Sequence, residues 1–386
     1  METKIPFLEV SDAIVMSGAE TLYWCMQCGL CTGTCPWRLV PGEASEEFNV
    51  RLVQRTGQLG LEGFESENCL FACTTCRACV DRCPRGVDII GNIRGMRAML
   101  AEVGTIPPSL KPIAGSLHSQ GNPWSGPREK RVEWTEGADV PVFSADTEYL
   151  LFVCCTSCYD IRSRKIAKAV VSALKAAGVS FGIAGVEESC CGESIRKIGD
   201  EALFSKLAES NINLYKSKGV KKIIVTSPHC LYTLKNEYPE FGGEFEVYHY
   251  TEILAKAVSE GKISMSGKMA GEIAMHDPCY LGRHNDIYDA PRELISSIPG
   301  SDLKELARNR KNSVCCGGGG GRVWMETKAG ERFAELRITE ALESGAKTLV
   351  TSCPYCITML EDSCNVMGKG AELKVMDLSE LVAENL

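Results

Sequence analysis

The sequence predicts an α+β multidomain protein: a helical N-terminal domain followed by a duplicated α/β pair. Three observations lead there. Two cysteine runs of identical spacing fall within a mostly helical first hundred residues. From about residue 148, buried strand patterns alternate with amphipathic helices. That alternating part then repeats its own cysteine pattern.

The first run is Cys25-x2-Cys28-x2-Cys31-x3-Cys35-Pro36 and the second is Cys73-x2-Cys76-x2-Cys79-x3-Cys83-Pro84. This is the ferredoxin spacing for 4Fe–4S clusters. Three thiolates at x2 spacing curl round one cube, and the fourth reaches the neighbouring cube. The expected sets are therefore crossed: Cys25, Cys28, Cys31 and Cys83 for the first cluster, and Cys73, Cys76, Cys79 and Cys35 for the second. Pro36 and Pro84 fix φ and turn the chain away after the last ligand. Structural zinc on CxxC pairs is the competing reading, but zinc rarely needs three cysteines at x2, x2 and then x3-Cys-Pro. Cys69 reads as a spare, buried thiol.

A chain of 386 residues has room for two or three domains. Its 21 cysteines exceed what packing needs. No secretory leader is read in Met1–Val10, and no apolar run is long enough to span a bilayer, so a cytoplasmic protein with its cysteines on metal is expected. A net charge of −8 argues against nucleic acid and gives no reason for direct membrane insertion.

Residues 1–103 are read as the helical domain, 104–147 as a linker, 148–262 as the first α/β lobe and 270–386 as the second. Ser45 reads as an N-cap with Glu46 and Glu47 in the first turn, its helix ending in a Gly57/Gly60/Gly63 stretch. A second helix follows Asp88, with Ile89, Ile93, Met96, Leu100 and Val103 on one face; Gly104 and Pro107-Pro108 stop it. The linker is rich in proline, and Trp124 and Trp134 suggest that it is pinned to a neighbouring surface. Tyr149–Val153, Lys222–Val225 and Thr348–Val350 read as strands, and Ile166, Val170 and Leu174 mark a helix ending at Gly178.

The repeat aligns Cys155 with Cys279, Cys190-Cys191-Gly192 with Cys315-Cys316-Gly317, and Ser227-x2-Cys230 with Cys353-x2-Cys356. In the second lobe, five thiols arrive from three strand ends. An adjacent Cys-Cys pair suits a larger or irregular cluster better than one cubane. Gly317–Gly321 lets backbone approach a ligand closely, against the simpler reading of a flexible turn. The first lobe keeps Cys155, Cys190, Cys191 and Cys230, but Ser227 stands where a cysteine is needed. Cys154 and Cys158 are near enough in sequence to compensate, which leaves a cluster there an open question.

These residues resemble the CCG-domain family, whose Cys…Cys-Cys-Gly…Cys-x2-Cys signature occurs twice. With the two-cubane domain, nearly the whole chain is similar to the heterodisulfide reductase chain that is equivalent to fused C and B subunits. The resemblance implies a helical two-cluster ferredoxin-like domain followed by a duplicated CCG-domain pair. It implies a noncubane 4Fe–4S cluster on Cys279, Cys315, Cys316, Cys353 and Cys356, and puts a second one in the first lobe in question. Relatives include the electron-transfer subunit of class II benzoyl-CoA reductases, which works in anaerobic metabolism beside a flavin subunit and is the expected specific setting.

Two functions compete. One is an electron relay between flavin-containing and other iron–sulfur subunits; no flavin or NAD fingerprint is evident, so no such cofactor is expected on this chain. The other is disulfide or thiol reduction at a noncubane cluster, or service as the iron–sulfur subunit of a lactate, glycolate or flavoprotein–quinone oxidoreductase. A zinc-stabilised scaffold is the non-redox alternative. No catalytic residue is assigned. His276 and His229, beside expected ligands, read first as packed side chains and second as hydrogen-bond donors to cluster sulfur. Arg77, Arg82 and Arg85 flank the second run; Tyr23, Trp24 and Trp37 are expected to shield the first cubane; Glu326, Lys328, Glu331 and Arg332 read as a solvated helix face.

Overall fold

The computed structural model describes residues 5–63, 65–66, 69–268 and 271–386. The N-terminal domain is helical. Helix Val50–Leu59 is capped by Asn49, whose side chain accepts from the Leu52 amide at 3.1 Å. Helix Ile89–Glu102 is capped by Asp88, as the sequence indicates. Ser45 is not a cap: it lies inside the short helix Glu43–Glu47, and its hydroxyl donates to the Trp37 carbonyl. Asn49 takes the capping role because its carboxamide oxygen also accepts from Thr32, tying this helix to the first cysteine run. Val103 is the C-terminal cap residue of its helix and faces solvent instead of the apolar face.

Residues 104–147 hold more regular structure than their prolines suggest. Lys111–Gln120 is an α-helix with Pro112 in its first turn, where a missing N–H costs nothing. Arg128–Thr135 is a 3-10 helix, with Trp134 buried in the core shared by both lobes.

Each lobe is a four-stranded, fully parallel sheet with helical crossovers. The first orders β2 (Phe181–Gly182), β1 (Tyr149–Phe152), β3 (Lys222–Val225) and β4 (Glu246–His249), with Tyr149 opposite Lys222 and Lys222 opposite Glu246. The second orders β6 (Ser301–Lys304), β5 (Gly271–Met275), β7 (Thr348–Thr351) and β8 (Lys374–Asp377) in the same way. Ile166, Val170 and Leu174 of the first lobe join Leu378, Leu381 and Val382 of the second in one core. Tyr250 donates across the lobes to Asp377 at 2.7 Å. In both sheets the motif cysteines follow the carboxyl ends of strands, where open parallel sheets place their sites.

Candidate metal centres

The two ferredoxin-type loops adopt the same unusual backbone. Gln27 and Thr75, equivalent positions between the first two cysteines of each run, have φ of 64° and 52°. Gly29 and Arg77, two residues further on, have φ of 84° and 67°. Non-glycine residues rarely hold this conformation, and they do so mainly where a site demands it. Here it turns amides back toward sulfur: Thr75 N lies 3.4 Å from Cys73 Sγ, and Val87 N lies 3.4 Å from Cys83 Sγ. Such donors suit a thiolate cradle.

Cys25, Cys28, Cys31 and Cys83 line one pocket. Cys35 lies among the second run: its thiol is pushed up by burial and by Cys76 and Cys73. Cys79 is pushed up by burial and by Cys73, Cys76, Cys35 and Cys31, so it stands between the two groups. Cys69 stays apart; burial and Glu47 raise it to about 11.

Tyr23 and Trp24 do not shield the first group. They are 52% and 54% exposed, and Met26, Leu30 and Leu52 are exposed as well. The apolar side chains here face outward beside the exposed thiol of Cys28. Trp37 is buried, but elsewhere: its indole donates to Ala72 O at 2.9 Å and its ring meets Phe333 of the second lobe edge-on. Arg85 lines the first pocket, Arg77 pairs with Asp81 at 3.1 Å, and Arg82 donates to Asn312 of the second lobe at 2.6 Å.

The two CCG glycines explain their own motif. Gly192 and Gly317 have φ of 85° and 97°, which lets each amide turn back to the thiol two residues earlier, at 3.5 Å from Cys190 and 3.3 Å from Cys315. In the second lobe Cys279 and Cys315 lie 3.9 Å apart, and Cys316 and Cys356 lie 3.2 Å apart. Burial pushes the Cys353 thiol up, but hydrogen bonds with Cys356 and His229 outweigh it and bring the group down to about 5. All five thiols are free and buried, a donor set that fits iron–sulfur ligation.

In the first lobe Cys191 and Cys230 lie 3.6 Å apart, and Cys155 shares a hydrogen bond with Cys190. The fifth thiol is Cys154: its hydrogen bond with Cys230 lowers it to about 7. Cys158 turns the other way, toward the Val153 carbonyl. Cys154 is thus the further thiol that meets Cys230, the cysteine that closes the Ser227-x2-Cys230 motif.

The thiol groups lie in a row. Cys76, of the second ferredoxin-type group, adjoins Cys315, and each shifts the other's thiol. Cys353, of the second lobe, is coupled to His229 and Cys154 of the first. The glycine run makes the first junction possible. A Cβ on Gly319 would meet Thr74 O at 2.4 Å, and one on Gly320 would meet Cys73 O at 2.4 Å. Arg97, fully buried, clamps the same junction by donating to Leu70 O, Cys73 O, Lys197 O and Gly320 O. The segment Met325–Arg332 is a loop, not a helix, because Gly330 has a φ of 86° and the next helix starts only at Phe333. Lys328 reaches Glu43 of the N-terminal domain from it.

Three arginines escape sequence reasoning. Arg131, from the stretch read as linker, donates to Cys155 Sγ at 3.3 Å while paired with Glu188. Arg283 donates to Cys76 O and Ser313 O at 2.6 Å and carries its charge beside Cys76, Cys279 and Cys315. Arg97 is the third. None falls in a motif: Arg131 lies in a proline-rich stretch, Arg283 in a loop, and Arg97 on a helix whose apolar face is marked by other residues. Between the lobes, His229 stacks on Tyr280 and Tyr280 on His284, each with ring centres 3.9 Å apart. Glu193 lies 3.1 Å from His229 Nδ1, at ion-pair distance but off the line of a hydrogen bond.

Two thiolate cradles on one domain and two cysteine-lined parallel sheets define an iron–sulfur oxidoreductase. The chain belongs to the CCG-domain iron–sulfur oxidoreductases: residues 149–235 and 273–361 match the model of the cysteine-rich CCG domain, and residues 21–87 match a 4Fe–4S dicluster domain. It is 30% identical to the D chain of the dihydromethanophenazine:CoB–CoM heterodisulfide reductase of Methanosarcina barkeri, across 100% of this chain and 99% of that one. It is 39% identical to the "Probable iron-sulfur-binding oxidoreductase FadF" of Bacillus subtilis, over 89% of this chain and 50% of the relative. It is 38% identical to the "EtfAB:quinone oxidoreductase" of Syntrophomonas wolfei, over 81% of this chain and 46% of the relative. The chain thus spans about half the length of these last two. Among the described residues, no helix is long and apolar enough to cross a membrane.

Proposed function

We propose that this chain is the electron-relay subunit of a larger redox complex, exchanging single electrons between flavin-bearing and iron–sulfur partner subunits. The specific setting we favour is a class II benzoyl-CoA reductase complex. Iron–sulfur clusters bound at the thiol groups supply one-electron carriers. The observation that carries the reading is the order of the groups: Cys25/Cys28/Cys31/Cys83 at the surface, then Cys35/Cys73/Cys76/Cys79, then the second lobe, then the first. The exposed Met26 and Leu30 line the outer pocket, Tyr23 and Trp24 precede Cys25 directly, and together they give a partner an apolar face to dock on. The chain's own residues do the rest: Arg283 and Arg131 place buried positive charge beside the thiolates, and the αL loops supply amide donors.

Reduction of a disulfide held between the lobes is the weaker reading. The stacked rings of His229, Tyr280 and His284, with Tyr355 beside them, fill that region. The test is rapid freeze-quench EPR of the full chain reduced by a protein donor such as reduced ferredoxin. Cys79→Ser is expected to leave the outer signal reducible and to slow reduction of the lobe signals at least tenfold. Equal lobe rates in wild type and variant would reject a serial relay.

A further inference from the structure

The two lobes differ at one buried position three residues before the first motif cysteine. The first lobe has Phe152 there, with the Arg131 guanidinium 5.6 Å from its ring centre. The second has His276, fully buried, its amide donating to Val350 O at 2.8 Å.

The hydrogen bonds of His276 settle where its proton lies. Arg337 Nε is 3.2 Å from His276 Nδ1. A guanidinium only donates, so Nδ1 accepts. A neutral imidazole that accepts at Nδ1 carries its hydrogen on Nε2. Nε2 is buried and has no partner among the protein's polar atoms. A buried N–H without an acceptor costs about 1–3 kcal/mol, so something else is expected to accept it. A ring nitrogen of His276 and the sulfurs of Cys316 and Cys356 all lie within 4.8 Å of one another. Nδ1 already accepts from Arg337, so Nε2 is the ring nitrogen with a hydrogen to offer there.

We propose that His276 Nε2–H is a hydrogen-bond donor to the sulfur of the second-lobe cluster, held in that tautomer by Arg337. The proposal rests on ligation of that cluster by Cys316 and Cys356. His276 is a donor and not a ligand, because a protonated Nε2 has no lone pair for iron. Arg337 is the positioning residue. It is itself buried, anchored to Arg308 O at 2.8 Å and paired with Glu340. Hydrogen bonds to cluster sulfur favour the reduced, more negative state and raise the reduction potential. Phe152 can make no such bond, so this histidine donor acts on the second lobe only; the first lobe has instead Arg131 on Cys155 Sγ.

The test uses the full chain, purified anaerobically with its native iron. His276→Phe copies what the first lobe already tolerates at this place; His276→Gln keeps an N–H donor and guards against a folding artefact. The expected result for His276→Phe is unchanged iron, a lower midpoint potential for the second-lobe EPR signal alone, and loss of one exchangeable proton coupling in ENDOR. His276→Gln is expected to restore part of the potential. Loss of about four irons in His276→Phe, the content of one cluster, would make His276 a ligand and overturn the donor role. So would full iron with an unmoved potential. Wild-type protein holding iron for the two cubanes only would instead overturn the ligation reading beneath it.

Discussion

The two lobes share a sheet order and a cysteine frame, yet they meet different neighbours, and the differences follow from that. Gly318 and Gly319 of the second lobe occupy the places of Glu193 and Ser194 in the first. The second lobe needs glycine because its backbone abuts the Cys73–Thr75 loop. The first lobe faces the second instead, and uses Ser194 to meet the Tyr355 hydroxyl at 2.9 Å. A motif copied by duplication has therefore split into one half that joins the N-terminal domain and one that joins its own twin. Cysteine follows the same split: Cys353 stands in the second lobe where Ser227 stands in the first, and Cys154 stands in the first where Pro278 stands in the second.

The sharpest way to break this contrast is Gly319→Val. Its Cβ would press on Thr74 O, and overpacking of this kind costs about 1–3 kcal/mol or more. Thermal melts are expected to show a fall of several degrees, with the EPR signals of the second run disturbed first. Ser194→Val in the first lobe, which loses a hydrogen bond to Tyr355 but gains little bulk, is expected to do less. Equal losses would remove the reason given for the glycine run.

Next in size is the exchange of a thiol. Cys154→Ser is expected to release about four irons, one cluster's worth, while Cys158→Ser releases none. Iron analysis separates the two, and loss from both or neither would cancel the assignment of Cys154 to the first-lobe group.

A smaller effect concerns pH. His249 and Asp377 end the last strands of the two sheets, and each caps the helix that follows. Burial lowers His249 from 6.5 to about 3. The unfolded chain then takes its proton first, so this contribution is full above pH 6.5 and lost as pH falls through 3. Burial raises Asp377 from 3.8 to about 7, against the hydrogen bonds of Ser379 and Tyr250. Its contribution is full below pH 3.8 and lost as pH rises through 7. Urea midpoints of Asp377→Asn are expected to fall less between acid and neutral pH than those of wild type; an identical slope would contradict the raised value. The mildest change is Trp24→Ser, which is expected to leave iron content and melting unaltered while slowing electron uptake from a protein donor. An unchanged rate would move the docking face elsewhere.

The metal-binding skeleton was legible because it is local. The cysteine runs mark the dicluster domain, and the repeat marks two α/β lobes with thiols at their strand ends. What escaped was tertiary. Ser45 has the right chemistry for a cap, but Asn49 alone also reaches Thr32. Trp24 looks like shielding in a sequence, since an aromatic beside a ligand packs inward unless a partner surface claims it. Arg131 lies in a stretch whose prolines hide a 3-10 helix, and only folding brings it to Cys155. His276 could be weighed as a donor, but its tautomer needed Arg337, 61 residues away.

The most direct test of the four-group row is iron and zinc content of the wild-type chain, purified anaerobically, with EPR of its oxidised and reduced forms. Four thiol groups predict about sixteen irons per chain, at four per cluster, with a cubane pair and two further signals. About eight irons, or zinc in their place, would leave the lobes without clusters and contradict the relay.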